Sequence, residues 1–277
     1  MTDCRGATEA VANPRPPGPG VSYVSMTVDG ELRDYMLYMP PTLDHSRPIP
    51  LVIMFHGSPV DAAGMEDLIH FDAEADKGRF LAAWPNGCDG LWSYADGGSK
   101  IADEDFVEKM IQQLESRYSI DQARVFLAGL SAGTWVEYRL ACDLAGMITA
   151  VASISGTMRL SDDCRPSRPV SILEMHGTLD DVHPWQGGGS HNAFPVDALI
   201  AKWTLLDGCT GTPVMARTGI TLTSTWSHCK GGSVVRLDKV VGGKHTWFGA
   251  QSPDAVPGEP DTNTAIWSFF NSVQPPG

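Results

Sequence analysis

The chain has 277 residues, 42% hydrophobic and 19% charged, which supplies ample core for one compact domain or at most two. Its formal net charge of −13 makes nucleic acid a poor partner, because a phosphate backbone would be repelled. No apolar run approaches the ~20 residues needed to cross a bilayer, so no membrane partner is expected.

Pro14, Pro16, Pro17 and Pro19 mark residues 1–20 as an extended N-terminal segment, leaving 21–277 as a single domain. Val21–Val28 and Leu32–Met39 flank Asp29-Gly30, which predicts a hairpin. The apolar run Pro50–Phe55 reads as a buried strand. One helical pattern covers about 62–77, a strand follows over 80–84, and residues 86–100 form a glycine-rich loop. Asp103–Tyr118 carries Phe106, Val107, Met110, Ile111 and Leu114 at helical spacing. Strands are then predicted around Arg124–Ala128 and over Ala150–Ile154, Val170–Met175, Thr221–Trp226 and Val234–Val241. Helices are predicted after Ser131, over Val196–Leu206 and over Asn263–Val273. The alternation implies an α/β fold with a mainly parallel central sheet, helices on both faces and an antiparallel N-terminal hairpin at one edge. The interval Ser155–Pro169 is too short for a large cap domain. An open, shallow site is therefore expected, one that tolerates bulky or polymeric substrates and excludes water poorly.

The chemistry centres on Gly129-Leu130-Ser131-Ala132-Gly133, placed between a strand pattern and a helix pattern. That context is the signature of a nucleophile elbow, in which serine projects from a strained turn and flanking glycines remove clashing Cβ atoms. The following helix aims its N-terminal N–H groups at the reaction centre. A serine hydroxyl needs a histidine to take its proton and an acid to hold that histidine. On such elbows the chain order is Ser, acid, His. His183, His191, His228 and His245 follow a plausible acid. His245 fits best, in a loop between the Val234–Val241 strand and the last helix. Asp180 and Asp181 follow the Val170–Met175 strand and are the candidate acids. The one not used as the acid is expected to cap a turn. Ala132 and Ser58 are expected to supply backbone N–H donors to an oxyanion, since Pro59 has none. His56, ahead of Gly57 at a strand end, is read as a brace for that loop. Trp92, Trp185 and Trp247 lie near these motifs and are candidate substrate contacts.

Six cysteines (Cys4, Cys88, Cys142, Cys164, Cys209 and Cys229) form no metal-binding spacing, so neither a metal nor a cofactor is expected. An even count favours disulfides, but the pairing is not readable from spacing alone. Cys142, in a helical pattern, also reads as a small buried apolar residue. Met1-Thr2-Asp3-Cys4 opens with no basic region and no apolar stretch, so the chain reads as cytosolic or as a trimmed mature form.

Several motifs together resemble the poly(3-hydroxybutyrate)-depolymerase-like esterases, a branch of the α/β-hydrolases that includes type C feruloyl esterases and acetylxylan esterases. They are Leu51-Val52-Ile53-Met54-Phe55-His56-Gly57, Trp84-Pro85-Asn86-Gly87, Asp103-Glu104-Asp105-Phe106, the Ser131 pentapeptide, Tyr138-Arg139-Leu140-Ala141-Cys142, His176-Gly177-Thr178-Leu179-Asp180 and Gly242-Gly243-Lys244-His245-Thr246-Trp247. The resemblance implies an α/β-hydrolase fold, a Ser131–His245–Asp180 triad with Asp180 preferred to Asp181, a Cys209–Cys229 disulfide and a secreted setting. It implies a serine carboxylic ester hydrolase, expected as a monomer, acting on hydroxycinnamoyl or acetyl esters of polysaccharide or on polyesters, aromatic polyesters included. A peptidase or amidase with the same triad, and a non-catalytic binding protein on the same fold, are the alternatives. Ser58-Pro59-Val60, Ala132 and Trp185 depart from the usual family pattern around the acyl pocket.

Overall fold

Asp29 and Gly30 turn the chain with φ angles of 52° and 87°. Two positive φ values at the centre of a two-residue loop match the twist of the strands it joins. Those strands, β1 (Gly20–Val28) and β2 (Glu31–Met39), pair antiparallel with Val28 opposite Glu31. This is a computed structural model, and it describes residues 18–93, 103–159, 163–189 and 192–273. The predicted N-terminal segment therefore lies outside the described residues up to position 17, as do 94–100 of the glycine-rich loop.

The next strands are β3 (Ile49–Phe55), β4 (Leu81–Pro85), β5 (Ile120–Leu130), β6 (Ala150–Ile154) and β7 (Ser171–Gly177). Then come β8 (Val214–Thr218), β9 (Thr221–Trp226) and β10 (Val235–Val240). All join one sheet in the order β1-β2-β4-β3-β5-β6-β7-β10-β9-β8. The six strands from β4 to β10 in that order run parallel. Every residue of β3, β4, β6 and β7 is buried, as parallel strands covered on both faces require.

Helices α3 (Asp103–Arg117), α4 (Gly133–Asp143) and α5 (Val196–Leu206) cover one face with Phe106, Met110, Val136, Leu140, Leu199 and Trp203. Helices α1 (Ala62–Ile69), α2 (Asp72–Gly78) and α6 (Thr262–Ser272) cover the other with Met65, Ala75, Ile266 and Phe270. Among the described residues, no helix lies between β6 and β7.

Three sequence expectations change. The helix predicted over 62–77 is two helices, broken at His70 with φ 49°. Glu66 enforces the break, since its carboxylate accepts from the N–H groups of Phe71 and Asp72 at the start of α2. The sheet is antiparallel at both edges, because β8 and β9 form a second hairpin beyond β10. All five residues of β8 are exposed, so the strand lacks the apolar alternation that reveals one in sequence. Cys142 is bonded to Cys164, tying the end of α4 to the segment after β6. Cys209 and Cys229 are also bonded and close the β8–β9 hairpin, and Cys88 is in a disulfide too.

Candidate active site

Ser131 stands at the C-terminal end of β5 with φ 55°. A left-handed serine costs of order 1–3 kcal/mol and persists only where its surroundings fix it. Its N–H donates to Ile154 O at 3.1 Å, and its carbonyl accepts from the N–H and the hydroxyl of Thr134. The flanking glycines are sterically required. A Cβ on Gly133 would lie 2.3 Å from Phe55 O, and one on Gly129 would lie 2.8 Å from a Glu137 oxygen.

The structure brings Ser131, His245 and Asp180 together from three separate loops. Ser131 Oγ–H donates to His245 Nε2 at 2.9 Å, and His245 Nδ1–H donates to Asp180 Oδ2 at 2.9 Å. The Asp180 side chain is buried, while that of His245 is 19% exposed, so the imidazole is reachable from solvent. Asp180 Oδ1 accepts from the N–H groups of Val182 at 3.0 Å and His183 at 2.7 Å. The turn-capping role expected of the second aspartate thus falls to Asp180 itself, and Asp181 is exposed. Burial raises the Asp180 pKa, but His245, His176 and the His183 N–H outweigh it and hold the carboxyl below its ordinary range. Of the other histidines, His228 is exposed beyond β9, and His191 lies outside the described residues. His183 is buried between Trp135 (ring centroids 5.6 Å) and His245 (5.3 Å).

The His245 loop is anchored by groups that sequence reading missed. Ser155, with φ 49° at the end of β6, donates its hydroxyl to Thr246 O at 2.8 Å. Leu179 N–H donates to Gly243 O, and Gly242 N–H donates to the Thr178 hydroxyl. A Cβ on Gly177 would sit 2.3 Å from Gly243 O, so the acid-bearing and histidine-bearing loops pack backbone to backbone. Only the second serine of Ser153-Ile154-Ser155 does this work, and nothing in its local pattern marks it.

Gly57 packs on the elbow, since a Cβ there would lie 3.3 Å from Ser131 Cβ. That contact brings the following residue, Ser58, to the rim of the site, where it is exposed. Ala132 precedes the first turn of α4, so its N–H has no acceptor within the helix. His56 is buried and faces backbone at both nitrogens. Its Nδ1–H donates to Gly57 O at 2.9 Å and its Nε2 accepts from Gly87 N–H at 3.0 Å. One donor and one acceptor fix a neutral ring, and burial pulls its pKa down to about 4.

The three tryptophans are placed differently from the sequence expectation. Trp92 is fully buried, stacks on His56 at 4.4 Å and donates its indole N–H to His56 O. Trp247 is 2% exposed and donates to Asn263 at the N-terminus of α6. Neither leaves a face for substrate, because each indole is consumed by packing and by the polar tip it must satisfy. Trp185 is buried too, with its N–H on Asp197 and the Lys239 ammonium 4.4 Å above its ring. Leu179 and Val182, on either side of Asp180 in the chain, and Val60, two residues after Ser58, are exposed apolar side chains.

Beneath the triad lies a buried polar cluster. Tyr138 OH donates to Glu174 Oε2 at 2.7 Å, and Glu174 Oε1 is 2.9 Å from His176 Nδ1. Glu137, on α4, is fully buried. Burial, and the Glu174 charge next, push its pKa well above the ordinary carboxyl value. Folding therefore binds a proton at Glu137 at any pH between its unfolded and folded pKa values, so stability falls as pH rises through that window. Glu137→Gln, which carries no such proton, is expected to show a smaller fall in Tm between pH 6 and pH 9 than the parent, read by differential scanning calorimetry. An equal or steeper fall would count against a neutral Glu137.

The strand order and the sharp turn after β5 place the chain in the α/β-hydrolase class. An acetyl xylan esterase from Aspergillus awamori shares the fold, with a TM-score of 0.65 at 13% identity over 90% of this chain and 99% of that one. Residues 33–164 match the family model described as Esterase PHB depolymerase. That match, just under half of the chain, and the relatives below make the chain similar to the poly(3-hydroxybutyrate)-depolymerase-like esterases and the type C feruloyl esterases. It is 28% identical over 249 residues to a bifunctional acetylxylan esterase/xylanase of Neocallimastix patriciarum, covering 87% of this chain and 33% of that protein. It is 30% identical over 162 residues to feruloyl esterase C of Emericella nidulans, covering 56% of this chain and 58% of that protein. The chain thus spans between a third and three-fifths of the length of these two relatives.

Proposed function

We propose that the chain is a secreted serine carboxylic ester hydrolase whose substrates are hydroxycinnamoyl or acetyl esters of polysaccharide. One observation carries the reading: an unbroken chain of 2.9 Å hydrogen bonds from Ser131 through His245 to Asp180, on an elbow serine with φ 55°. In this reading Ser131 Oγ attacks the ester carbonyl carbon while His245 Nε2 takes the hydroxyl proton. The carbonyl oxygen becomes an oxyanion held by the N–H groups of Ser58 and Ala132. The tetrahedral intermediate expels the alcohol, which takes the proton back from His245, and the acyl group stays on Ser131. Water, deprotonated by His245, then releases the acid. Asp180 holds the His245 proton on Nδ1, leaving Nε2 free to act as base.

The substrate class draws on the relatives, whose names are those of acetylxylan and feruloyl esterases. The exposed Leu179 and Val182 on either side of Asp180 suit an acyl group offered by a polymer from outside. The Cys142–Cys164 and Cys209–Cys229 bonds suit an oxidising compartment.

The test is a panel of methyl ferulate, acetylated xylan, p-nitrophenyl acetate, polyhydroxybutyrate film, aromatic polyester film and a matched anilide. The expected result is a higher kcat/KM on methyl ferulate or acetylated xylan than on p-nitrophenyl acetate, with no anilide cleavage. Faster cleavage of the anilide than of its ester would replace this reading with an amidase. Preference for either film would move the substrate class to polyesters.

A further inference from the structure

The two histidines that end β3 and lie near the end of β7 are both buried, yet they face opposite surroundings. His56 has an acceptor at one nitrogen and a donor at the other. His176 has acceptors at both. Its Nδ1 faces Glu174 Oε1 at 2.9 Å, and its Nε2 faces His183 O at 2.8 Å, with Asp180 Oδ2 3.5 Å from that same nitrogen. A neutral imidazole carries one N–H and would set a bare lone pair against an oxygen. Moving the second proton onto Glu174 Oε1 would also fill the Nδ1 contact, but it would discard the carboxylate charge that the Tyr138 OH, donating to Glu174 Oε2, stabilises, and it would leave an uncharged ring beside Asp180. With the Asp180 carboxylate alongside, the second proton belongs on the ring.

We propose that His176 is a positioning residue for the esterase reaction. As a doubly protonated imidazolium clamped by Glu174, it fixes the Asp180 carboxylate and the 180–183 turn in register with His245. The proposal rests on the triad reading above. His176 donates Nδ1–H to Glu174 and Nε2–H to His183 O, with Asp180 Oδ2 3.5 Å from Nε2. Asp180 then receives His245 Nδ1–H at Oδ2 and two backbone N–H groups at Oδ1, with a positive ring beside it. Other ionisable groups of the cluster are Glu137 and Tyr138 on α4, which face Glu174, His183, whose carbonyl accepts from the ring, and Lys239, which pairs with His176 in the β7–β10 register. Burial lowers the His176 pKa, but the Glu174 hydrogen bond and charge, Asp180 and His183 O together lift it above the usual histidine value.

The charge has a kinetic consequence. With the imidazolium present, the Asp180 carboxylate is shared between two rings. Without it, that carboxylate serves His245 alone, so His245 holds a proton more tightly and the acid limb of kcat/KM moves to higher pH. His176→Gln is expected to lower kcat about 10- to 100-fold through misplacement of Asp180 and His245. Its acid limb is expected to rise by about one pH unit. Glu174→Gln keeps the ring but removes its counter-charge, and is expected to move the limb the same way by less. A merely structural role for His176 would lower Tm and leave the limb in place.

A second readout is independent of activity. In the full chain labelled with 15N-histidine, His176 is expected to show two protonated ring nitrogens from pH 5 to pH 8. One bare nitrogen at pH 7 overturns the proposal, and that spectrum decides the matter even if His176→Gln does not fold. Folded His176→Gln and Glu174→Gln with the parent's acid limb also overturn it. Ser131→Ala, assayed alongside, separates the two levels. Parent-like activity in Ser131→Ala defeats the esterase reading as a whole, whereas an inactive Ser131→Ala beside an unmoved His176→Gln limb defeats only the role of His176.

Discussion

Ser131→Ala is expected to lower kcat on methyl ferulate by about five to six powers of ten while KM changes little. The substitution removes one oxygen, whose partner is His245 at 2.9 Å. It adds no atom to the crowded elbow and leaves the Cβ that meets Gly57 in place. Stability should therefore hold, and near-parent circular dichroism and Tm are part of the expected result. The triad acts as a unit, so losing the nucleophile forfeits the work of His245 and Asp180 as well. The residue of activity, about three to four powers of ten above water, is expected from the proposed oxyanion donors and binding alone. A fluorophosphonate probe should label the parent and not the variant. Activity within tenfold of the parent in a clean preparation would remove Ser131 from the mechanism.

How much of this was legible in the sequence divides along physical lines. The elbow was, because a strained strand-to-helix turn demands small neighbours and so leaves Gly129 and Gly133 in print. The buried strands β3 and β7 were, because covering both faces leaves little room for polar residues. Strand β9 was as well, but β8 was not, since it is exposed throughout and its apolar Val214 and Met215 form no alternation with a core. The break at His70 was hidden because its cause is the Glu66 side chain reaching forward to Phe71 and Asp72. The tryptophans were misread for a related reason. Proximity in sequence to a catalytic motif does not fix which face of the sheet an indole takes, and Trp247 turned to the α6 side. The buried Glu137 lies dozens of residues before Glu174 and His176, and only the packing of α4 on the sheet brings it to them.

Asp180→Asn carries the second large effect, expected as a loss of about four powers of ten in kcat at neutral pH. The reasoning turns on how few acceptors an amide has. Asp180 accepts at both oxygens: from His245 Nδ1–H at Oδ2, and from Val182 and His183 N–H at Oδ1. An asparagine has one oxygen and one NH₂ group. If the oxygen stays on the two backbone N–H groups, the NH₂ faces His245 Nδ1, which must then be bare, and the ring proton moves to Nε2. That tautomer cannot take the Ser131 proton. If the amide turns over, His245 keeps its tautomer but three buried donors crowd together at the 180–183 turn, at a cost of about 1–3 kcal/mol for each unmet bond. Measured together, kcat and Tm tell the two orientations apart, and both predict damage. A further sign follows from the carboxyl itself. With its folded pKa held below the unfolded value, ionised Asp180 adds stability above the unfolded pKa, and that contribution is lost as pH falls through the folded one. Asp180→Asn has no such proton to bind, so its Tm should depend less on pH at the acid end than the parent's. A folded variant with kcat within tenfold of the parent, and with the parent's acid-end Tm profile, would show that Asp180 neither orients His245 nor carries its charge in the fold.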